Sequence, residues 1–201
     1  MVRLVKRVML CGCIVLAVWF GALIRDKQIL GRELIRLHVV ANSDDEADQH
    51  IKLRVRDVLV ASLQEELAGV TDPEEAKRYL QNNLPKLESI ANSVLREAGV
   101  EPDAVVTLCR EAFGIREYND FSLPSGIYES LRIVIGEGKG QNWWCVVYPQ
   151  LCSELCGFEE SAEACGMGTV LKDTLSLKPN KQIRFFLLDV LGEVENILFT
   201  G

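Results

Sequence analysis

Seventeen consecutive apolar residues, Val8 to Ile24 (VMLCGCIVLAVWFGALI), constrain this chain more than any other feature in it. A helix of that length reaches about 25 Å, near the lower limit for crossing the hydrocarbon core of a bilayer. A helix buried in a globular protein usually keeps one polar face, and this run has none. Arg3, Lys6 and Arg7 precede it with no acid among them, whereas Arg25 and Lys27 just after it are partly offset by Asp26. That asymmetry favours an N-terminus left in the cytoplasm and export of everything that follows.

Two fates fit the run. Signal-peptide cleavage wants small residues at the −3 and −1 positions. A cut after Ala22 puts Phe20 at −3, and a cut after Gly21 puts Trp19 there. Leu10-Cys11-Gly12-Cys13 has the look of a lipoprotein box, but the apolar run lies after it instead of before it, which argues against lipidation. Residues 1–24 are therefore read as a signal peptide or signal anchor, 25–33 as a linker and 34–201 as an extracytoplasmic domain.

The formal net charge is −7, and because residues 1–24 hold only cations, the exported part is more acidic still. Such a body repels nucleic acid and anionic headgroups, so nucleic acid is excluded as a partner. A hydrophobic fraction of 48% and a charged fraction of 25% are those of a globular domain.

Within that domain, Arg36 to Ala41 (RLHVVA) alternates and ends in β-branched residues, as a strand does. Ser43 and Glu46 have capping-box spacing before a helix over about 44–68, whose stripe is Ile51, Val55, Val58, Leu59, Leu63 and Leu67, with Gly69 as its stop. Asp72-Pro73-Glu74-Glu75 opens a second helix with a cap, a proline in the first turn and acids at the positive end of the dipole. Its stripe runs from Ala76 to Ala98, and Pro85 predicts a kink or two abutting helices.

From Ala104 the period changes. Ala104–Cys109, Ile115–Phe121, Tyr128–Ile135 and Asn142–Tyr148 are short β-type runs that read as an antiparallel meander, the last two joined by Gly136-Glu137-Gly138-Lys139-Gly140 as a hairpin. Residues 153–180 show little periodicity and read as loop with a short helix. Ile183, Phe186, Leu187, Val190, Leu191, Val194, Ile197 and Leu198 define a closing amphipathic helix. A strand, helices, a meander and a final helix make an α+β domain.

Enzyme chemistry finds no arrangement here. His38 and His50 lack a carboxylate or cysteine at metal-ligand spacing, so no metal site is expected. No serine occupies a nucleophile elbow. GEGKG is too short for a phosphate loop, lacks the Lys-Ser/Thr ending and leads into a strand, so its glycines serve a turn. Asp44-Asp45-Glu46 is a possible cation ligand, but helix capping accounts for it more simply. No cofactor is called for. The competing class is a membrane-tethered enzyme with Cys145 as nucleophile and His38 as base, which requires the two in contact.

Cys109, Cys145, Cys152, Cys156 and Cys165 fall on the oxidising side, where disulfides persist. Five is odd, so one at least stays free or pairs between chains. Cys145 and Cys152 flank the end of the last strand and Pro149, and a chain doubling back there brings their Cα atoms near the ~5.5 Å a disulfide needs. Two reduced core cysteines are the alternative.

The segment Leu123–Cys152 reads LPSGIYESLRIVIGEGKGQNWWCVVYPQLC. Together with Ile35–Asp44 (IRLHVVANSD) and Leu53–Asp57 (LRVRD), it resembles the stage II sporulation protein R family of endospore-forming bacteria, whose pattern is LPxGxYExLRxxIGxGxGxNWWCVxxPxLC. The blocks lie in order from about residue 35 to 152, and the likeness fades after Cys152. The resemblance implies a protein made in the forespore and exported into the intermembrane space. There it signals to the extracytoplasmic region of a mother-cell membrane aspartic protease, which processes the precursor of sigma-E. It implies an activator of a protease and not a protease. On that reading Gly138, Lys139, Gly140, Asn142, Trp143 and Trp144 are the expected partner-binding residues. On a strand the two tryptophans point to opposite faces, so one is free to serve as an exposed anchor; the alternative is that both are buried.

Overall fold

Strand β1 (Ile35–Val40) organises the molecule, and its alternation explains how. Ile35, Leu37 and Val39 project to one face of a sheet, Arg36, His38 and Val40 to the other, and all but His38 are buried. A strand buried on both faces belongs in the middle of a sheet. The computed structural model, which describes residues 1–101, 103–118, 121–150, 172, 175, 176 and 182–200, places it there. Its neighbours are β5 (Gly126–Ile135), parallel, and β6 (Asn142–Tyr148), antiparallel. Strand β2 (Ala104–Phe113) pairs antiparallel with the far side of β5, giving the order β2-β5-β1-β6.

The fold is α+β, as expected, with a sheet that is mixed. β2 and β5 pair as neighbours of a meander do, but β5 and β6 are not partners. β1 lies between them, so the glycine-rich segment bridges over the end of β1 and does not close a hairpin. The local pattern of strand, turn and strand looks the same in either case, and only the insertion of a distant strand separates them. The expected strand over Ile115–Phe121 is two short pieces, β3 (Arg116–Glu117) and β4 (Ser122–Leu123), paired in a small sheet of their own.

One face of the main sheet is covered by α2 (Glu46–Glu66) and α3 (Pro73–Glu97). Leu37, Val39, Leu131, Ile133, Cys145 and Val147 from the strands meet Val55, Leu59, Leu63, Leu80, Leu87 and Leu95 from the helices. Each fully buried leucine contributes about 1.5–3 kcal/mol of transfer free energy, so this layer is the main source of stability. Three details differ from the sequence reading. The capping box does not form: Ser43 Oγ accepts from the Asp45 amide (3.1 Å) and donates to Asp48 (2.7 Å), and Asp45 is the cap residue. Val58 faces solvent, while Lys52 is buried and donates to the Gln49 side chain (2.6 Å) and the Gln141 carbonyl (3.0 Å). Pro85 leaves α3 a single element. It lies on the exposed side with Gln81, where water can serve the carbonyl that the proline leaves unpaired. The cap at Asp72 forms as expected, accepting from the Glu74 amide at 3.0 Å.

The other face carries α1 (Val2–Glu33), α4 (Gln182–Thr200) and the β3–β4 pair. Residues 25–33, expected as a linker, continue α1. Leu23, Asp26 and Leu30, with Leu34 beyond the end, recur at helical spacing and are buried against the sheet and α4. N-terminal to Leu23 the described side chains of α1 are exposed, and this helix is long and apolar enough to cross a membrane. The second core gathers Phe113, Phe121, Leu123, Tyr128, Val146 and Leu188. Helix α4 forms as the sequence predicts but turns most of its apolar stripe outward; Leu187, Leu188 and Leu191 are the residues that pack. Of residues 153–180, all but 172, 175 and 176 lie outside the described residues.

Candidate partner-binding site

The turn from Gly136 to Gln141 is built by backbone geometry that glycine permits and by a clamp from a distant loop. Gly136 and Gly138 take φ of 56° and 62°, in the left-handed region that other residues enter at a cost. As the chain crosses the end of β1, Lys139 N donates to Asn42 O (3.0 Å) and Gly140 N to Ala41 O (2.9 Å). The Glu137 amide donates to Asn42 Oδ1 (3.0 Å) and the Gln141 amide to Asp44 Oδ1 (2.8 Å). Asn42 and Ser43 in turn donate to Asp48 on α2, at 2.8 and 2.7 Å, and these bonds hold the Asp48 carboxyl below its usual range. Segment 41–44 and the turn are thus one unit. Asp44, weighed above as a cation ligand, is engaged with backbone, and no cluster able to hold a metal occurs among the described residues.

Within this unit the expected partner-binding residues divide. Gly138 and Gly140 are there for the fold: a Cβ on Gly140 would run into the carbonyl of Ser43. The Lys139 ammonium is exposed beside Glu137, at 2.6 Å. Asn142 Oδ1 lies 2.8 Å from His38 Nε2. The two tryptophans do point to opposite faces, and neither is fully buried. Trp143 is 38% exposed on the helix side of the sheet, with the Arg56 guanidinium 4.2 Å from its ring centroid. Trp144 is half-buried on the other face, stacked on His38 (centroids 5.7 Å, planes 21° apart) with Arg116 over it at 4.0 Å. An arginine on a tryptophan contributes about 0.5–1 kcal/mol at an exposed site.

Sequence reasoning did not bring forward the polar residues that share Trp144's face. Thr107, Arg132, His38 and Trp144 stand in register across all four strands. His38 Nδ1 lies 3.2 Å from Glu111, which Arg132 approaches at 3.6 Å. Burial alone pushes the Glu111 carboxyl up; the His38 bond and the charges of His38 and Arg132 outweigh it and hold the group below its usual range. One row along, Arg36 is fully buried, its guanidinium 4.0 Å from the Phe113 centroid and 5.4 Å from that of Tyr128. It donates to the Tyr118 hydroxyl (3.1 Å) while Nε and Nη1 have no hydrogen-bond partner among the described residues. The alternation of Arg36 and His38 in β1 was the one signal for this face; Glu111, Arg116 and Arg132 reach it from segments more than 70 positions beyond β1.

The geometry separates the pair that an enzyme would need. Cys145 is paired in register with Leu37 and buried under α2 and α3, whereas His38 projects from the opposite face. The Cys145 sulfur and the His38 imidazole are not brought together. Cys109, on the histidine side, is no substitute, because burial and the nearby Glu111 charge push its thiol up, away from the reactive thiolate. Cys145 is not among the free thiols of the described residues, Cys11, Cys13 and Cys109. Cys152, its expected partner, lies outside the described residues.

Comparison with known proteins places these residues in one family. The family model for stage II sporulation protein R matches residues 31–156, which takes in β1, the 41–44 loop, the turn and both tryptophans. Stage II sporulation protein R of Bacillus subtilis (strain 168) is 33% identical over 124 residues, 62% of this chain and 55% of that protein. The aligned part thus spans about half the length of that relative. No solved structure matches. The match covers more than half of its length and includes the clamped turn, so this chain belongs to the stage II sporulation protein R family.

Proposed function

We propose that this protein is an exported signal of sporulation. It acts from the intermembrane space on the extracytoplasmic region of a mother-cell membrane aspartic protease and so triggers processing of pro-sigma-E. The observation that carries the reading is the family match over residues 31–156, the part that contains the clamped turn. Two others support it. The N-terminal apolar helix fits an export signal or anchor, and the histidine and cysteine that a thiol enzyme would use stand on opposite faces of the sheet.

The docking surface in this proposal is the β6 edge: Trp143 with Arg56 beside it, and Lys139 at the tip of the turn. An exposed aromatic anchor held rigid by a strand loses little entropy on binding, and truncating such anchors often costs over ~2 kcal/mol. Trp144, Asn142, Gly138 and Gly140 hold that surface in place. The Cys145–Cys152 bridge belongs to the same reading, as a tie between β6 and the segment that follows; free thiols at both positions in mass mapping of the exported, alkylated protein would rule it out.

The test is co-production in a host that does not sporulate. With the membrane protease and pro-sigma-E present, conversion of the precursor should require this chain with its export segment. Conversion at the same rate without the chain would end the proposal.

A further inference from the structure

Helix α4 is amphipathic in the inverted sense. Its polar side chains point into the protein: Asp189 accepts from the Ser125 amide (2.8 Å), Glu193 from the Ser125 hydroxyl (3.3 Å), and Asn196 donates to the Phe113 carbonyl (2.8 Å). Arg184 pairs with Asp26 and Glu195 with Lys27, the latter at 3.6 Å. Its apolar side chains point out. Ile183, Phe186, Val190, Val194 and Ile197 form one exposed row at helical spacing, and Leu198 beside it is 80% exposed. No basic residue interrupts that row. A contiguous apolar strip on a helix whose charges are already satisfied marks a contact with something apolar.

The position of α4 identifies the contact. Arg184 and Glu195 are eleven positions apart, about 16 Å along a helix, yet their partners Asp26 and Lys27 are adjacent on α1. The helix therefore crosses α1 instead of running beside it. The crossing falls immediately after Ile24, the last residue of the apolar run of α1. With α1 along the membrane normal, α4 lies across the bilayer surface where the chain emerges.

We propose that α4 is an interfacial helix whose outer row sits among the acyl chains of the extracytoplasmic leaflet, so that the domain rests on the membrane at a second point beside α1. The inference rests on reading α1 as a span. Attachment comes from apolar area and not from charge, since the row carries no Lys or Arg and the domain is acidic. Two non-parallel contacts fix the orientation of the sheet relative to the bilayer, which a single flexible tether cannot do.

The experiment is photolabelling of the full chain reconstituted in phosphatidylcholine vesicles that contain a phosphatidylcholine with a carbene precursor in its acyl chain. Adducts are then mapped by mass spectrometry. Adducts are expected on α1 and on Phe186, Val190 and Ile197, with none on Val58, an exposed apolar residue of α2. Labelling should be unchanged when phosphatidylglycerol replaces a third of the lipid. Phe186→Ser with Ile197→Ser should remove the α4 adducts and leave those on α1. Adducts on α1 alone would overturn the proposal while leaving the span intact, and adducts on neither helix would overturn both. Chemical cross-links joining α4 of two copies, in place of lipid adducts, would also overturn it.

Discussion

The amide of Gly140 donates to the carbonyl of Ala41 at 2.9 Å, and nothing larger than hydrogen fits on its α-carbon, because a methyl there would strike the carbonyl of Ser43. A backbone oxygen cannot rotate away as a side chain does. Gly140→Ala should therefore cost about 1–3 kcal/mol of stability, as overpacking does. Gly114, which has open space around its α-carbon and no positive φ, is the control, and Gly114→Ala should be close to neutral. Urea unfolding of the two variants checks this.

Arg36 gives the opposite expectation. Its guanidinium is buried between Phe113 and Tyr128 with two nitrogens unpaired among the described residues, and desolvation lowers its pKa. Replacing a poorly compensated buried charge with an apolar residue of like volume is often neutral or stabilising. Arg36→Met should keep or raise the midpoint of thermal unfolding. Arg36→Ala should lose about 2–4 kcal/mol, because it leaves a cavity.

Glu111 sets part of the acid limb. Its carboxyl titrates below the usual glutamate value in the folded state, so its contribution is fully present above that value and is lost as the pH falls through the folded pKa. Glu111→Gln should lower the melting temperature near pH 7 and have a smaller effect at a pH below the folded pKa, where the wild-type group is also uncharged. Equal losses at the two pH values would contradict the pairing with His38 and Arg132.

Sequence alone revealed a good part of this and missed the rest for identifiable reasons. Asp72, Asn142 and Tyr148 mark element ends that local chemistry decides, and all three fall where the pattern puts them. The insertion of β1 between β5 and β6 is not local, so the turn read as a hairpin and the row Arg132–His38–Trp144 stayed invisible. Val58 leaves the expected stripe for solvent, and Lys52 joins the buried face because it reaches the Gln141 carbonyl of the turn, a partner 89 positions away. The stripe of α4 was visible in full, but periodicity does not say whether an apolar face meets a core or something outside the chain.

The proposed export topology rests on the charges flanking Val8–Ile24. A reporter fused after Gly201 should be active only when it is of a kind that works outside the cytoplasm. Activity of a cytoplasm-dependent reporter at the same point would contradict export.

The two tryptophans test the proposed docking surface apart from folding. Trp144 stacks on His38 under Arg116, and Trp144→Ala should lower stability by about 1–3 kcal/mol and reduce activation in proportion. Trp143→Ala, at the exposed edge, should cost about 0.5–1 kcal/mol with the loss of the Arg56 contact and still fail to activate. If both lose stability and activation together, the docking surface lies elsewhere.

The most direct test of the account is reconstitution of the membrane protease in vesicles with pro-sigma-E on its cytoplasmic side and the purified chain added to the opposite side. The account predicts processing that rises and saturates with the concentration of added chain, and that disappears when the protease's catalytic aspartates are replaced. Processing that proceeds without the chain, or that persists with the inactive protease, would contradict it.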